Sequence, residues 1–316
     1  MTNTPLEVHV SELSPSQPTP HPNPLPPALR AVYPWQGFDL AADGGRLHFL
    51  DEGPRDAPVL LCLHGNPTWS FYWRRIVAAF SDRYRVVVPD HIGCGLSDKP
   101  QAWPYRLRGH VDNVVRLIEA LDLRDITLIV HDWGGAIGMG AATLKPERFG
   151  RFVVTNTAAW PSPRIPPSIA TVKIPVFGAL AVRGLNGFAR AAVIRATATR
   201  LDPVAATGLL WPYQTWHDRI ATLRFVQDIP MGAWHPSWTE LSRIGQALPT
   251  LRDRPMLQLW GNTDFCFTPR FHAEWRERFP NAASHAWDDV GHYVMEDAPD
   301  RVLPLIQAFL PRAGSA

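Results

Sequence analysis

Residues 126–135, with the sequence ITLIVHDWGG, decide the fold of this 316-residue chain. Five residues, four of them apolar, lead into a short polar turn, and a run of small residues follows. A strand that turns this sharply into a helix lifts the residue at its apex above the carboxyl edge of a parallel sheet. The apex residue is Asp132, with Gly134 two positions after it. Two positions before it stands Val130, where the common serine version of this turn has glycine.

Asp132 has two interpretations when it is considered alone. At the apex of such a turn, a carboxylate can attack carbon directly and form an ester. The N-terminus of the following helix favours its negative charge. Alternatively, an Asp at this position is an ordinary helix N-cap. The motifs described below favour the nucleophile.

Apolar strands alternate with helical stretches after residue 36. Several strand candidates are nearly all apolar, which is typical of strands buried on both faces of a parallel sheet. The sequence therefore predicts an α/β architecture, with a mostly parallel central sheet and helices on both faces. The strand candidates are Arg46–Leu50, Val59–Leu63, Arg85–Val88, Ile126–Val130, Phe152–Thr155, Met256–Trp260 and Ser284–Trp287. The main helix candidates are Leu107–Leu121, Gly135–Leu144, Phe271–Phe279 and Asp300–Phe309.

Two segments depart from this alternation. Eight of the 32 prolines fall in the first 30 residues, so we expect residues 1–35 to form a disordered or surface-draped tail that buries no core. Residues 160–234 hold no clear strand and are rich in large apolar side chains. They predict a helical cap inserted between two parts of one core, residues 36–159 and 235–316.

Composition excludes several classes of function. The 31 basic and 29 acidic residues leave a net charge of +2, which gives no bulk attraction to nucleic acid. No apolar run reaches the length of a transmembrane helix. Three cysteines, Cys62, Cys94 and Cys266, fit neither a disulfide framework nor a zinc site. We therefore expect a cytoplasmic protein that needs no metal and no cofactor.

A second motif, HGNPTW at residues 64–69, follows a predicted buried strand. In this architecture, that loop and the residue after the nucleophile each supply a backbone N–H to an oxyanion hole. Asn66 and Trp133 also carry side-chain N–H donors. Two such donors near an attacking carboxylate could hold an anionic leaving group.

The third and fourth motifs supply a base and an acid. His292, in VGHY, follows the last predicted strand, and a nucleophile first with a histidine last is the order expected for this architecture. Asp264, in GNTD, follows the preceding strand, where an acid can orient the base. The other acids near this end of the chain are Asp288, Asp289 and Glu296. An alternative acid position after an earlier strand carries no carboxylate, since residues 155–157 are TNT.

Taken together, these motifs resemble the haloalkane dehalogenase family of α/β-hydrolases. HGNPTW, VHDWGG and the late GHY match that family over residues 36–312. The resemblance implies an α/β-hydrolase fold with an inserted helical cap. It implies Asp132 as nucleophile, His292 as base and Asp264 as acid. Asn66 and Trp133 would be the anion-stabilising pair.

A closer resemblance lies with the β-lactone decarboxylases of bacterial long-chain olefin biosynthesis. It is carried by PDHIG at 89–93, LSDKP at 96–100, VVTNTAA at 153–159 and RFVQDIP at 224–230. This resemblance implies conversion of a cis-β-lactone with two alkyl chains into a cis-alkene and carbon dioxide. It also implies a hydrophobic small-molecule substrate and assembly with the synthetase and reductase of the same pathway.

Three alternatives stay open. The same Asp-His-Asp set can hydrolyse carbon–halogen bonds. Epoxide hydrolases also use an Asp nucleophile but usually need two cap tyrosines, and the insert holds only Tyr213. Finally, the chain could be a catalytically silent scaffold in a pathway complex, although intact Asp132, His292 and Asp264 argue against that.

Overall fold

The computed structural model describes residues 25–311, so the predicted tail up to residue 24 lies outside the described residues. Within that range the strands form one eight-stranded sheet with the order β1-β2-β4-β3-β5-β6-β7-β8. β1 and β2 pair antiparallel with their neighbours, and all later pairs are parallel. The strands are β1 Phe38–Ala42, β2 Gly45–Glu52, β3 Val59–Leu63, β4 Arg85–Pro89, β5 Ile126–His131, β6 Phe149–Thr155, β7 Met256–Gly261 and β8 Ala283–Trp287.

Helices cover both faces of the sheet, as predicted. The α-helices are α1 Pro27–Val32, α2 Arg74–Phe80, α3 Leu107–Ala120, α4 Trp133–Leu144, α5 Pro167–Val172, α6 Pro175–Gly178, α7 Gly187–Arg195, α8 Pro203–Leu210, α9 Ile220–Asp228, α10 Trp238–Ala247, α11 Pro269–Arg278, α12 Val294–Asp297 and α13 Pro299–Phe309. A π-helical turn, Ala179–Gly184, continues α6 directly.

The strand pleat divides the core into two apolar clusters. Leu61 and Leu63 of β3 pack with α3, α4, α10 and α11. Leu60 and Cys62 of the same strand pack with α2, α12 and α13. Because successive strand residues point to opposite faces, a strand buried on both sides must be apolar throughout. This is why every residue of β3 and β5 is buried and why these strands could be predicted from composition.

The parallel register gathers the predicted functional loops at one edge. Leu63 pairs with Val130, and His131 pairs with Thr155. The loops that follow β3, β5, β6 and β7 therefore begin side by side, although they are far apart in the sequence. Any site built from them must lie at the carboxyl edge of the central strands.

Helices α5–α9 lie between β6 and α10, in the segment predicted to form a cap. Their apolar residues form a separate small cluster, to which Ile169, Val182 and Leu223 belong. The domain boundaries at residues 36, 160 and 235 stay predictions. Among residues 25–311, no helix is both long and apolar enough to span a bilayer.

The sequence prediction misses two elements at the start of the described chain. β1 forms a hairpin with β2 through Gly44, whose φ of 96° suits glycine. The segment predicted as tail also contains α1, and Leu29 and Tyr33 are each only 1% exposed. The Tyr33 hydroxyl lies 2.6 Å from Ser70 Oγ. From residue 27 onwards, this segment therefore belongs to the core, against our expectation of a tail without one.

Candidate active site

Asp132 occupies the apex of the turn between β5 and α4. Its backbone has φ 51° and ψ −127°, an unfavourable conformation for a residue with a side chain. The carboxylate makes no capping hydrogen bond to α4, so the N-cap interpretation fails. Gly134 allows this turn, because a Cβ there would overlap the Leu63 carbonyl oxygen. The sharp turn therefore holds the Asp132 side chain above the sheet.

The two oxygens of the Asp132 carboxylate have different surroundings. Oδ1 accepts a hydrogen bond of 2.7 Å from the Asn66 backbone N–H. Oδ2 lies 3.8 Å from His292 Nε2. The HGN loop thus holds one oxygen, and the other faces the histidine and is available to attack an electrophile.

His292 and Asp264 form a buried hydrogen-bonded pair. His292 Nδ1 donates to Asp264 Oδ2 at 2.8 Å, and the Asp264 side chain is fully buried. The competing acids are bound elsewhere: Asn262 donates to Asp288, Arg301 pairs with Asp289, and Arg74 pairs with Glu296. Asp264 is thus the acid, among these four, that forms a hydrogen bond with His292.

Asn156 also contacts Asp264, which the sequence reasoning missed. Its amide nitrogen donates to Asp264 Oδ2 at 2.8 Å and to the Gly261 carbonyl, and its amide oxygen accepts the Gly261 N–H. The Cys266 N–H donates to the other Asp264 oxygen at 2.6 Å. The signal was the TNT sequence after β6, which we considered only for its lack of a carboxylate.

Burial and neighbouring charges shift both reacting groups. Burial opposes the charged form of His292, but Asp264 and Asp132 outweigh it and raise the pKa of the imidazole above its usual value. Burial raises the pKa of Asp132, whereas His292 and the N–H groups of Asn66 and Trp133 favour its ionised form. Both the Asp132 carboxylate and the His292 imidazole therefore bind a proton more readily than they would in water.

The predicted pair of side-chain donors lies at the same place. Asn66 and Trp133 both line the cavity above Asp132. The Asn66 amide nitrogen donates to the Thr222 carbonyl of α9 at 3.1 Å, so a residue of the predicted cap orients it. The Trp133 ring contacts Phe225, also of α9, at 5.3 Å between ring centroids.

A largely apolar cavity lies above these groups. Its volume, including the part that opens to solvent, is about 1030 Å³. Residues of α5, α7 and the loop after β7 line it, with Asp132, His292 and Asn66 among the few polar groups. Its apolar lining includes Trp160, Ile165, Ile169, Phe188, Ala192, Val226, Leu241, Phe265, Phe267 and Phe271. Tyr213 is not part of the lining; its hydroxyl donates to the Thr68 carbonyl instead. The cavity therefore suits an apolar substrate and offers none of the insert's tyrosines as a proton donor.

Comparison with known proteins agrees with this fold and site. Residues 58–299 match the family model for the alpha/beta hydrolase fold, and the chain belongs to the α/β-hydrolase family. A cis-3-alkyl-4-alkyloxetan-2-one decarboxylase from Xanthomonas campestris pv. campestris is 42% identical over 85% of this chain and 93% of that protein. The protein of the same name from Shewanella oneidensis is 39% identical over 89% and 90%.

A solved structure also resembles the chain closely. The haloalkane dehalogenase DatA from Agrobacterium tumefaciens C58 has a TM-score of 0.77 and 27% identity, covering 86% of this chain and 95% of that one. The predicted α/β-hydrolase fold and the predicted resemblance to the β-lactone decarboxylases are thereby confirmed.

Proposed function

We propose that this protein decarboxylates cis-3-alkyl-4-alkyloxetan-2-ones to cis-alkenes and carbon dioxide, with Asp132 as nucleophile. The observation that carries the proposal is the Asp132 carboxylate, which presents one free oxygen to an apolar cavity. The two relatives named for this reaction, at 42% and 39% identity, support the same conclusion.

One route begins at the oxygen-bearing ring carbon. Asp132 Oδ2 attacks C4, the C4–O1 bond breaks, and the ring oxygen leaves as a carboxylate. Asn66 and Trp133 are placed to donate hydrogen bonds to that anion. The C2–C3 electron pair then forms the C3–C4 double bond while the C4–Asp132 bond breaks and carbon dioxide leaves. Inversion followed by anti elimination preserves the cis geometry, and the Asp132 carboxylate is regenerated without water.

The other route begins at the lactone carbonyl. Asp132 adds to C2, and the C2–O1 bond breaks to give a mixed anhydride and a C4 alkoxide. His292 is the group placed to give that alkoxide a proton. Water then hydrolyses the anhydride to the Asp132 carboxylate and a β-hydroxy carboxylate, which loses carbon dioxide and its hydroxyl group, as water, to give the alkene. The first route consumes no water, so turnover in ¹⁸O-labelled water should introduce label into Asp132 only by the second route.

Hydrolysis of carbon–halogen bonds is a second candidate, favoured by the 3.8 Å approach of His292 Nε2 to Asp132. In that reaction Asp132 displaces halide from a saturated carbon and becomes an alkyl ester. Neutral His292 then takes a proton from water, which hydrolyses the ester. Hydrolysis needs His292 as a base, whereas collapse of the β-lactone adduct at C4 does not.

The experiment incubates the protein with a synthetic cis-3,4-dialkyl-β-lactone and, in a separate reaction, with a panel of bromoalkanes. We expect alkene and carbon dioxide from the lactone, and loss of both in Asp132→Ala by at least about a thousandfold. Bromide release without alkene would favour the dehalogenase. A silent scaffold predicts neither product and no effect of Asp132→Ala.

A His292→Gln variant separates the two chemistries further. If water must be activated, the alkyl ester accumulates on Asp132, and intact-protein mass spectrometry detects the added mass. With the lactone we expect no adduct, because the elimination consumes no water. Assembly with other enzymes of the same pathway and a cytoplasmic location stay predictions.

A further inference from the structure

Part of the predicted cap exposes an apolar surface that the proposed chemistry does not use. We call it the cap apolar surface and define it by five side chains between residues 174 and 185. Their exposed fractions run from 54% to 73%, which is unusual for large apolar residues in one segment. They are Ile174, Val176, Phe177, Leu180 and Leu185.

The backbone under this surface is anchored. Gly178 and Val182 are buried in the same helical segment, and Val182 packs in the small apolar cluster with Ile169 and Leu223. The segment thus has one apolar side packed on the cap and a second apolar side facing outward. Among residues 25–311, packing leaves the outward side uncovered.

The charged residues of the sequence that contains this surface are all basic. Residues 149–201 contain no Asp or Glu and seven Arg or Lys residues. Arg190 and Arg195 are exposed on α7, which packs against the π-helical turn. Arg183 lies 4.6 Å over the ring of Trp216, which is itself 45% exposed. Exposed apolar and aromatic side chains among cations are the combination that binds anionic lipid headgroups and the acyl layer below them.

We propose that the cap docks on an anionic lipid bilayer through the cap apolar surface. The cations would contact lipid phosphates, and the side chains of Val176, Phe177 and Leu180 would enter the acyl boundary. A protein interface could also bury apolar side chains, but it gives no reason for the absence of acidic residues over this whole stretch. A bilayer with anionic lipid does.

The same helices connect this surface with the active-site cavity. On α7, Phe188 and Ala192 line the cavity, whereas Ile194 is 77% exposed. The Arg195 guanidinium lies 5.1 Å over Phe265, another cavity residue. An apolar lactone dissolved in the bilayer would therefore meet the cavity next to the docked surface. Only this statement about substrate delivery rests on the proposed function.

The experiment measures co-sedimentation of the full chain with vesicles, so it is independent of activity. Vesicles contain phosphatidylcholine alone or phosphatidylcholine with phosphatidylglycerol. We expect binding to the mixed vesicles that weakens with added salt. The double variant Phe177→Gln with Leu180→Gln should weaken binding at least about tenfold. Arg190→Glu should weaken it about fivefold on mixed vesicles only.

Matched controls lie outside the surface. Val32→Gln changes an exposed apolar residue on α1, and Arg276→Glu changes an exposed cation on α11; both should bind as the unchanged protein does. Circular dichroism checks that each variant is folded, and turnover of a short-chain substrate without vesicles should stay constant. The proposal is overturned if the unchanged protein does not sediment with either vesicle. It is also overturned if the double variant binds equally well, or if it only changes the oligomeric state seen by light scattering.

Discussion

At the residue scale, both reacting groups must lose a proton before hydrolysis can proceed, and both have raised pKa values. Asp132 must be ionised in order to attack, and burial raises its pKa. For hydrolysis, His292 must be neutral in order to take a proton from water, and its pair with Asp264 raises its pKa. Ionised Asp132 with neutral His292 thus requires a higher pH than ionised Asp132 alone. This difference makes the pH dependence informative about the chemistry.

We predict different pH profiles for the two reactions. Because the pKa of His292 lies above its ordinary value of about 6.5, halide release should fall as the pH drops through that raised pKa. Alkene formation from the lactone by attack at C4 should continue below it and fall only as Asp132 becomes protonated. Initial rates across pH at saturating substrate measure both profiles. A lactone profile that follows the titration of His292 would show that the histidine acts as a base or acid there as well.

Asn156 leads to a second prediction at this scale. Its amide donates to Asp264, so Asn156→Asp removes a donor and places a second carboxylate beside a buried one. We expect a loss of about 1–3 kcal/mol of stability and a further rise in the pKa of His292. A pH titration profile of the His292 ring, followed by NMR, detects that shift, which a merely destabilising change would not cause.

Asn262→Asp is the matched control for Asn156. The Asn262 amide donates to the exposed Asp288, away from His292. It should leave the pH profile unchanged. If both variants shift the profile equally, Asn156 does not position Asp264.

The main site residues could be predicted from the sequence for a physical reason. Strand-end loops in a parallel sheet meet at one edge, so Asp132, Asp264 and His292 could be expected close together. Asp264 was expected among four acids because it directly follows a strand, and its 2.8 Å distance to His292 agrees with that choice. The contact of Asn66 with Thr222 joins residues 156 positions apart, and no local pattern predicts it. The catalytic roles themselves stay predictions.

At the scale of elements, burial explains why the central strands could be predicted. β3 matches its predicted bounds, and β5 differs by one residue, because both are apolar on two faces. β1 lies at the edge of the sheet with a single buried residue, Leu40. Its sequence, FDLAA, alternates only weakly between apolar and polar residues. Pairing with β2 stabilises the strand. β1 is thus determined by its partner more than by its own sequence.

The turn between β5 and α4 gives a prediction for this scale. Gly134→Ala places a Cβ on the Leu63 carbonyl, which must push α4 away from β3. We expect a loss of about 3 kcal/mol or more and loss of activity. Gly184→Ala is the control, since its Cβ would meet only Trp216, at 3.8 Å. Thermal unfolding of both variants measures the difference, and equal effects would contradict a close strand–helix contact.

At the scale of the whole molecule, the site depends on segments that are distant in the chain. The loop after β3 supplies Asn66, the turn after β5 supplies Asp132, and the loops after β7 and β8 supply Asp264 and His292. The apolar clusters on the two sheet faces hold these loops in place. The first described helix belongs to one of these clusters, although it follows a sequence rich in proline.

That helix gives the last prediction. Leu29 is 1% exposed in the cluster that also contains Leu60 and Val302, so Leu29→Ala removes buried apolar volume from the core. We expect about 2–5 kcal/mol of lost stability. Val32→Ala, on the same helix but 40% exposed, should change stability by no more than about 0.5 kcal/mol. Urea unfolding followed by tryptophan fluorescence compares the two variants. If Leu29→Ala unfolds like the unchanged protein, then α1 is not part of the cooperative core, and the segment before residue 36 is the tail that its prolines suggest.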